Sequence, residues 1–259
     1  MEKFYLLFLY FFIYSVIGWS LEVIYCRLLD GKFTNRGFLH GPYCPIYGTG
    51  ATLIVLLLNR FYSNPVLVFT LGMIVTSILE YITSFVMEKL FKAKWWDYSN
   101  MKFNINGRVC LLNSVLFGIL GLILVYVLNP LITGFMESIN IVYLNYIAKA
   151  ISVIMIIDLT ITITEIVNFK KKLSELKEFT EELIKQKKIS NENSPIYNKM
   201  LEVKQKIISH KNVVNSRLTK AFPNLTFKDN NIEFLTIKEI KRKLKESKEK
   251  NKKSNTPES

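Results

Sequence analysis

Five apolar runs, each long enough to cross a bilayer, constrain the fold of this 259-residue chain more than any other feature. A spanning helix needs about 20 mostly apolar residues, because in hydrocarbon every backbone N–H must find its partner within the segment. The runs cover residues 4–25, 43–61, 66–85, 109–128 and 143–167. They predict an all-α fold, a polytopic bundle of about five membrane-spanning helices. The first run lacks a small-residue cleavage site, so we interpret it as a retained span rather than a signal peptide.

The charge distribution divides the chain into two parts. Residues 1–167 contain 11 Lys and Arg against 9 Asp and Glu, whereas residues 168–259 contain 23 against 12. This break predicts a transmembrane domain over residues 1–168 and a basic, helical cytoplasmic extension over residues 169–245. Residues 246–259 are polar throughout, which is typical of a disordered tail.

Two interpretations of the basic extension stay open. Its helical apolar pattern continues from the fifth run and suits a solvated hairpin, partly a coiled coil, that aids dimerisation. Its lysines equally suit the anionic inner leaflet of the membrane. Nucleic acid is not an expected partner, because the extension carries no helix-turn-helix or zinc signature.

Charged residues between the apolar runs predict the orientation. The segments after runs one, three and five are rich in Lys and Arg, while the alternate loops carry only Arg60 and Lys149. The positive-inside rule therefore places the rich segments in the cytoplasm and the N-terminus outside. The protein is thus expected in the cell membrane, with its C-terminal tail in the cytoplasm.

The two basic loops carry the most chemically varied residues of the chain. "NRGFLHGPYCPIYGTG" covers residues 35–50 and "KWWDYSNMKFNINGRVC" covers residues 94–110. Each combines Asn, Gly and Arg just before an apolar helix, so the two loops are expected to share one face. A helix N-terminus with Arg36 or Arg108 nearby favours an anion such as a lipid phosphate. Alternatively, the Gly and Pro residues only end helices.

Aromatic and acidic residues complete the candidate site. Trp95, Trp96 and Tyr98 are typical of rings that settle at the headgroup level. Carboxylates within apolar runs are costly and usually face a partner, so we predict that Glu80 pairs with Arg108, and Glu22 with Arg36. The candidate binding residues are Glu22, Arg36, Glu80, Trp95, Trp96, Asp97 and Arg108.

Catalysis and metal binding are weakly indicated. His40, Cys26, Cys44 and Cys110 are all predicted on the cytoplasmic side, but no CxxC pairing exists. No nucleophile and base occur at telling spacing. We therefore expect no enzymatic activity, no cofactor, no metal site and, in a reducing compartment, no disulfide.

Several motifs together resemble one family. "GWSLE", "NRGFLHGPYCPIYGTG", "LEYITSFVMEKLFKAKWWDYS", "FNINGRVCL" and the later "RLTKAFPNL" are similar to the CmpB-type family of ABC transporter permeases. The resemblance implies a multi-pass transport component that acts with a separate ATPase. It implies no substrate and no catalytic residue.

The remaining sequence is compatible with that resemblance. The chain has no GxxxxGK[ST] phosphate loop, as expected if a partner ATPase hydrolyses ATP. The two basic loops offer that ATPase a docking surface. Five spans are few for a pathway, so a homo-oligomer or a second subunit is expected. The alternatives are a membrane scaffold or signalling protein that transports nothing and, third, a membrane-embedded enzyme.

Overall fold

The computed structural model of the chain describes residues 2–30, 35–187, 221–222 and 226–227. This part consists mainly of α-helices, joined by short turns and four two-residue strands. The helices are α1 (Glu2–Asp30), α2 (Pro45–Leu58), α3 (Pro65–Phe91), α4 (Leu111–Ile123), α5 (Asn129–Glu137) and α6 (Ile141–Lys187). The strands are β1 (Ala93–Lys94), β2 (Asn104–Ile105), β3 (Val109–Cys110) and β4 (Thr226–Phe227). A 3-10 turn over Asn59–Phe61 follows α2, and a π-helical turn over Leu124–Leu128 joins α4 to α5.

Within the described residues, four helical segments are long and apolar enough to cross a membrane. They are Lys3–Leu28, Pro65–Phe91, Leu111–Glu137 and Ile141–Asn168, and each matches one predicted span. The mostly helical membrane fold is therefore confirmed. The second predicted span is not confirmed, because α2 has only 14 residues and is about 21 Å long, short of the hydrocarbon core of about 30 Å.

Helix α3 shows how local residues set the boundaries of a span. The Asn64 side chain accepts a hydrogen bond from the backbone N–H of Leu67 at 3.1 Å, and Pro65 occupies the first helical position. Both are favourable at a helix N-terminus. At the other end, Lys92 adopts a left-handed conformation with φ 54°, which stops the helix and turns the chain into the following loop.

Helices α1 and α2 approach closely at a glycine. A Cβ atom placed on Gly48 would lie 2.4 Å from the carbonyl oxygen of Phe11 and 2.0 Å from Oγ of Ser15. Only a residue without a side chain fits between these atoms. This crossing fixes the depth at which α2 starts, and with it the position of the loop that precedes α2.

The two loops meet at one end of the bundle. The first loop, residues 35–44, places the Phe38 ring 5.9 Å from the Phe91 ring at the end of α3 and 5.3 Å from the Trp95 ring in the second loop, residues 92–110. Ile166 of α6 packs into the same buried cluster. The expectation that both loops share one face is confirmed.

The C-terminal part of the chain returns to this cluster. Strand β4 pairs antiparallel with β1, with Ala93 opposite Phe227. The Phe222 ring lies 4.8 Å from the Trp95 ring in an edge-to-face arrangement, and Ala221 is buried. A short piece of the basic extension is therefore part of the folded domain, which the sequence did not predict.

Other predictions for the extension have different outcomes. Helix α6 runs without a break to Lys187, so the prediction that the fifth run continues as a helix is confirmed. The predicted second helix of the extension and the predicted disorder of residues 246–259 lie outside the described residues.

We expect Phe222→Ala to destabilise the domain. Loss of a buried aromatic ring typically costs about 3–5 kcal/mol, and the half-buried Phe222 should cost about 2 kcal/mol. Unfolding by SDS in mixed micelles would measure this. The matched control is Phe135→Ala, because the Phe135 ring is 63% exposed. Equal, small effects of both variants would show that the return of the tail is energetically unimportant.

Candidate functional site

Asn35 holds the first loop against α1. Its Oδ1 accepts hydrogen bonds from the Trp19 indole N–H at 2.8 Å and from the backbone N–H of Gly37 at 2.9 Å. Its Nδ2 donates to the His40 carbonyl oxygen at 2.9 Å. One side chain thus closes the loop on itself and ties it to a spanning helix.

The folded loop presents its donors to Asp158 of α6. The backbone N–H of His40 donates to Oδ1 at 3.0 Å and that of Gly41 donates to Oδ2 at 2.8 Å. The Tyr43 hydroxyl donates to Oδ2 at 2.5 Å. The buried Asp158 carboxylate therefore has a donor on each oxygen. An acidic side chain of the protein itself thus binds to this loop, and the binding of an external anion near Arg36 stays a prediction.

His40 extends the contact along α6. Its Nδ1 lies 3.0 Å from the Thr162 hydroxyl oxygen, and its Nε2 lies 3.2 Å from Oε2 of Glu165. Thr162 and Glu165 are one and two turns beyond Asp158 on the same helix face. The first loop thus binds α6 over two helical turns.

Glu22 of α1 pairs with a tyrosine rather than with Arg36. The Tyr47 hydroxyl donates to Oε1 of Glu22 at 2.5 Å. Within the described part of the chain, Arg36 makes no ion pair. The predicted Glu22–Arg36 pair is therefore wrong. The close crossing of α1 and α2 instead places the Tyr47 hydroxyl against the Glu22 carboxylate.

The second loop contains a β-hairpin. Strands β2 and β3 pair antiparallel, and the backbone N–H of Arg108 donates to the Ile105 carbonyl oxygen at 3.0 Å. Asn106 and Gly107, at the centre of this turn, have φ values of 53° and 67°. Two successive residues with positive φ define the tight turn for which Asn-Gly is the preferred sequence. The hairpin returns the chain to α3 and places Arg108 beside it.

Arg108 pairs with Glu88, not with Glu80. Its Nη2 lies 2.5 Å from Oε2 of Glu88, and the two side chains are only 14% and 13% exposed. The guanidinium also lies over the rings of Tyr81 and Phe85, at 5.4 and 5.3 Å. The predicted Glu80–Arg108 pair is wrong, since the hairpin brings Arg108 to α3 two turns nearer the loop end.

Glu80 instead accepts a hydrogen bond from the second loop. The Tyr98 hydroxyl donates to Oε1 at 3.2 Å, and the Glu80 side chain is buried. Burial, followed by the neighbouring Glu80 carboxylate, raises the pKa of the Tyr98 phenol far above its ordinary value. The hydroxyl therefore stays protonated and remains a donor. Oε2 of Glu80 has no hydrogen-bond partner among the described residues.

The two tryptophans are integrated into the fold. Trp95 is buried in the cluster formed by Ala93, Ile166 and their neighbours, so its ring packs against protein, and its position at the headgroup level stays a prediction. The Trp96 indole N–H donates to the Arg108 carbonyl oxygen at 3.0 Å. Trp96 thus braces the hairpin that positions Arg108.

Asp97 shapes the turn next to these rings. Its Oδ1 accepts from the Ser99 hydroxyl at 2.5 Å and from the Ser99 N–H at 2.9 Å, and Lys94 lies 3.7 Å from Oδ2. Burial acts to raise the pKa of Asp97, but the Ser99 hydrogen bonds and Lys94 outweigh it and lower the pKa. Asp97 is thus ionised and serves the loop structure.

All three cysteines of the chain lie within the described residues. Cys26, Cys44 and Cys110 are buried, and none of them forms a disulfide with another described residue. In the ranges that the structure describes, no group of three or more His, Cys, Asp or Glu side chains is placed to hold a metal ion.

Sequence reasoning missed the tyrosines that bind the carboxylates. Tyr43, Tyr47 and Tyr98 each donate to a carboxylate of a helix, and Glu88 binds Arg108. A signal existed, because each tyrosine lies in or beside a polar loop next to an apolar run. Which carboxylate each one reaches depends on contacts between distant residues.

The fold and the site define an α-helical multi-pass membrane protein with a polar, loop-built end. A family model described as "Putative ABC-transporter type IV" matches residues 9–163, and the chain belongs to this family. The resemblance seen in the sequence is thereby confirmed. The matched range includes both loops and all three tyrosine–carboxylate pairs. No curated protein and no solved structure matches the chain.

Proposed function

We propose that this protein is the membrane-embedded, permease-like component of an ABC-type transport system and acts with a separate ATPase. Its membership of the ABC-transporter family carries the proposal. The absence of a phosphate-loop motif from the sequence agrees with a division of labour in which the partner hydrolyses ATP and this chain catalyses no reaction. A pathway would then form between two copies or with a second membrane subunit.

The docking surface in this proposal is the loop end of the bundle. The Trp95 cluster joins the first loop, the second loop, α3, α6 and the returning tail into one structure. An ATPase bound there could therefore act on several spanning helices at once. Exposed residues of the second loop, such as Met101 and Lys102, would contact the partner.

Capture of an ATPase tests the docking surface. We expect a tagged full chain to retain an ATPase that lacks its own membrane domain, and Lys102→Glu to weaken this retention. The matched control is Arg60→Glu, an equal charge change at an exposed residue of the opposite end. ATP-dependent solute flux in vesicles containing both proteins would then establish transport. A chain that retains no ATPase would favour the scaffold or signalling alternative.

The orientation belongs to the same proposal. Both loops and the continuation of α6 lie at the basic end, which supports a cytoplasmic loop end and an external N-terminus in the cell membrane. In a background without native cysteines, Ser63→Cys and Ser138→Cys are expected to react with an impermeant thiol reagent in intact cells. Asn100→Cys should react only after permeabilisation. Labelling of Asn100→Cys from outside would reverse the orientation.

A further inference from the structure

Three carboxylates of the membrane domain bind tyrosine hydroxyls, and one of them is incompletely satisfied. Asp158 receives donors on both oxygens, from two backbone N–H groups and Tyr43. Glu22 binds Tyr47 and is partly exposed, so water can reach it. Glu80 is 6% exposed and has one hydrogen bond, of 3.2 Å, on Oε1 alone.

The missing hydrogen bond on Glu80 is costly because of where this residue lies in α3. It lies 15 residues after Pro65, the first residue of α3, which is about 23 Å along a 27-residue helix of about 40 Å. Glu80 therefore lies well inside an apolar helix that is long enough to cross a membrane, and an ionised carboxylate without a partner is costly in such a segment. The free oxygen Oε2 must therefore be satisfied from within the site.

No cation of the described part neutralises Glu80. Arg108, the partner predicted for Glu80 from the sequence, binds Glu88 and two aromatic rings. The other described titratable side chains near the site include no Lys, Arg or His: they are Tyr98 of the second loop, Cys110 before α4, and Tyr47 with its partner Glu22. No positively charged side chain among the described residues therefore offsets the charge of an ionised Glu80.

The hydrogen bond at the site engages only one oxygen of the Glu80 carboxyl group. The Tyr98 hydroxyl donates to Oε1, and Oε2 has no hydrogen-bond partner among the described residues. An open, buried carboxylate oxygen is suited to a cation.

We propose that Oε2 of Glu80 binds a univalent cation, either a proton or an alkali-metal ion. A single positive charge suffices, because no cluster of three acidic or metal-ligating side chains in the described residues would call for a divalent ion. The Tyr98 hydrogen bond is sensitive to the bound cation, since Tyr98 donates to the other oxygen of the same carboxyl group. Because Tyr98 belongs to the second loop, binding at Glu80 also changes the restraint on that loop. The inference is independent of the proposed transport function.

Two measurements on the purified full chain, without any ATPase, distinguish the two cations. For a proton, infrared difference spectra between acidic and alkaline buffers should contain a carboxylic-acid C=O band that is lost in Glu80→Gln. For an alkali-metal ion, the melting temperature at constant pH and ionic strength should rise when N-methylglucamine is replaced by sodium, potassium or lithium. That rise should likewise be lost in Glu80→Gln.

Two further variants make the result decisive. Glu22→Gln, the matched change at a partly exposed tyrosine-bound carboxylate, should leave the band or the ion-dependent rise unchanged. Tyr98→Phe keeps the Glu80 carboxyl group, so it should shift the band or weaken the ion effect even if Glu80→Gln does not fold. The proposal is overturned if wild type shows neither signal, or if the signal is indifferent to both Glu80→Gln and Tyr98→Phe.

Discussion

Replacing Glu88 by Gln is expected to lower the free energy of unfolding by about 3 kcal/mol, because it leaves the Arg108 guanidinium without its anion. Breaking a buried ion pair typically costs about 3–5 kcal/mol, and both side chains are less than 15% exposed. The two aromatic rings around Arg108 should retain part of its interaction energy. Arg108→Gln is therefore expected to cost more, since it removes the contacts with those two rings as well as the ion pair.

A double-mutant cycle measures the pair itself. The double variant Glu88→Gln, Arg108→Gln should lose clearly less than the sum of the single variants in SDS unfolding from mixed micelles. Exposed Glu137→Gln is the control for removal of a carboxylate. A second cycle with Glu80→Gln and Arg108→Gln should be additive to within about 0.5 kcal/mol. Coupling in the second cycle instead of the first would contradict the contacts described above.

Gly48→Ala is expected to destabilise the bundle by about 1–3 kcal/mol or more. The added Cβ atom would overlap the Phe11 carbonyl oxygen, which belongs to the backbone of α1 and cannot rotate away. The two helices must then separate, and the Tyr47–Glu22 hydrogen bond that depends on their crossing should weaken.

A second glycine provides the control for this substitution. Gly72 is also buried in a spanning helix, but its added Cβ atom would meet only Leu58, at an ordinary distance of 3.8 Å. Gly72→Ala should therefore be neutral or stabilising, because alanine is the better helix former by about 1 kcal/mol. The same unfolding assay would compare both variants. Equal effects would mean that the α1–α2 crossing adapts easily.

The spanning helices could be predicted because hydropathy is a local property. Helices α1 and α3 begin and end near the limits of their apolar runs, and α6 begins near the start of its run. The second run failed at its C-terminal end, where Asn59, Arg60 and Phe61 form a 3-10 turn instead of extending α2. An apolar count includes Phe61 in the span, although backbone geometry does not.

The partners of charged residues could not be predicted, because they depend on how far each loop folds back. Glu80 and Glu88 lie two turns apart on α3, and only Glu80 was predicted as the partner of Arg108. The hairpin decides between them. Its Asn106 donates to the Tyr81 hydroxyl at 3.0 Å, which fixes the turn against α3. The Asn-Gly pair is itself a hairpin signal in the sequence, but the apolar pattern alone does not include it.

The Asp158 contact shows a second limit. Its donors come from residues 117 and 118 positions earlier in the chain. Backbone N–H groups at a loop favour an anion of any origin, and their sequence does not tell whether that anion is a ligand or a distant side chain.

The uninterrupted length of α6 has a mechanical consequence. The helix has 47 residues and is about 70 Å long, so some 43 Å extend beyond Asp158 toward Lys187. The first loop contacts α6 at Asp158, Thr162 and Glu165, close to the point where the helix leaves its apolar segment. If α6 tilts about this contact by about 10°, its end at Lys187 moves by roughly 7 Å, given the helix rise used above. Small rearrangements around one carboxylate would thus be magnified into a movement large enough for another protein to detect, or to impose.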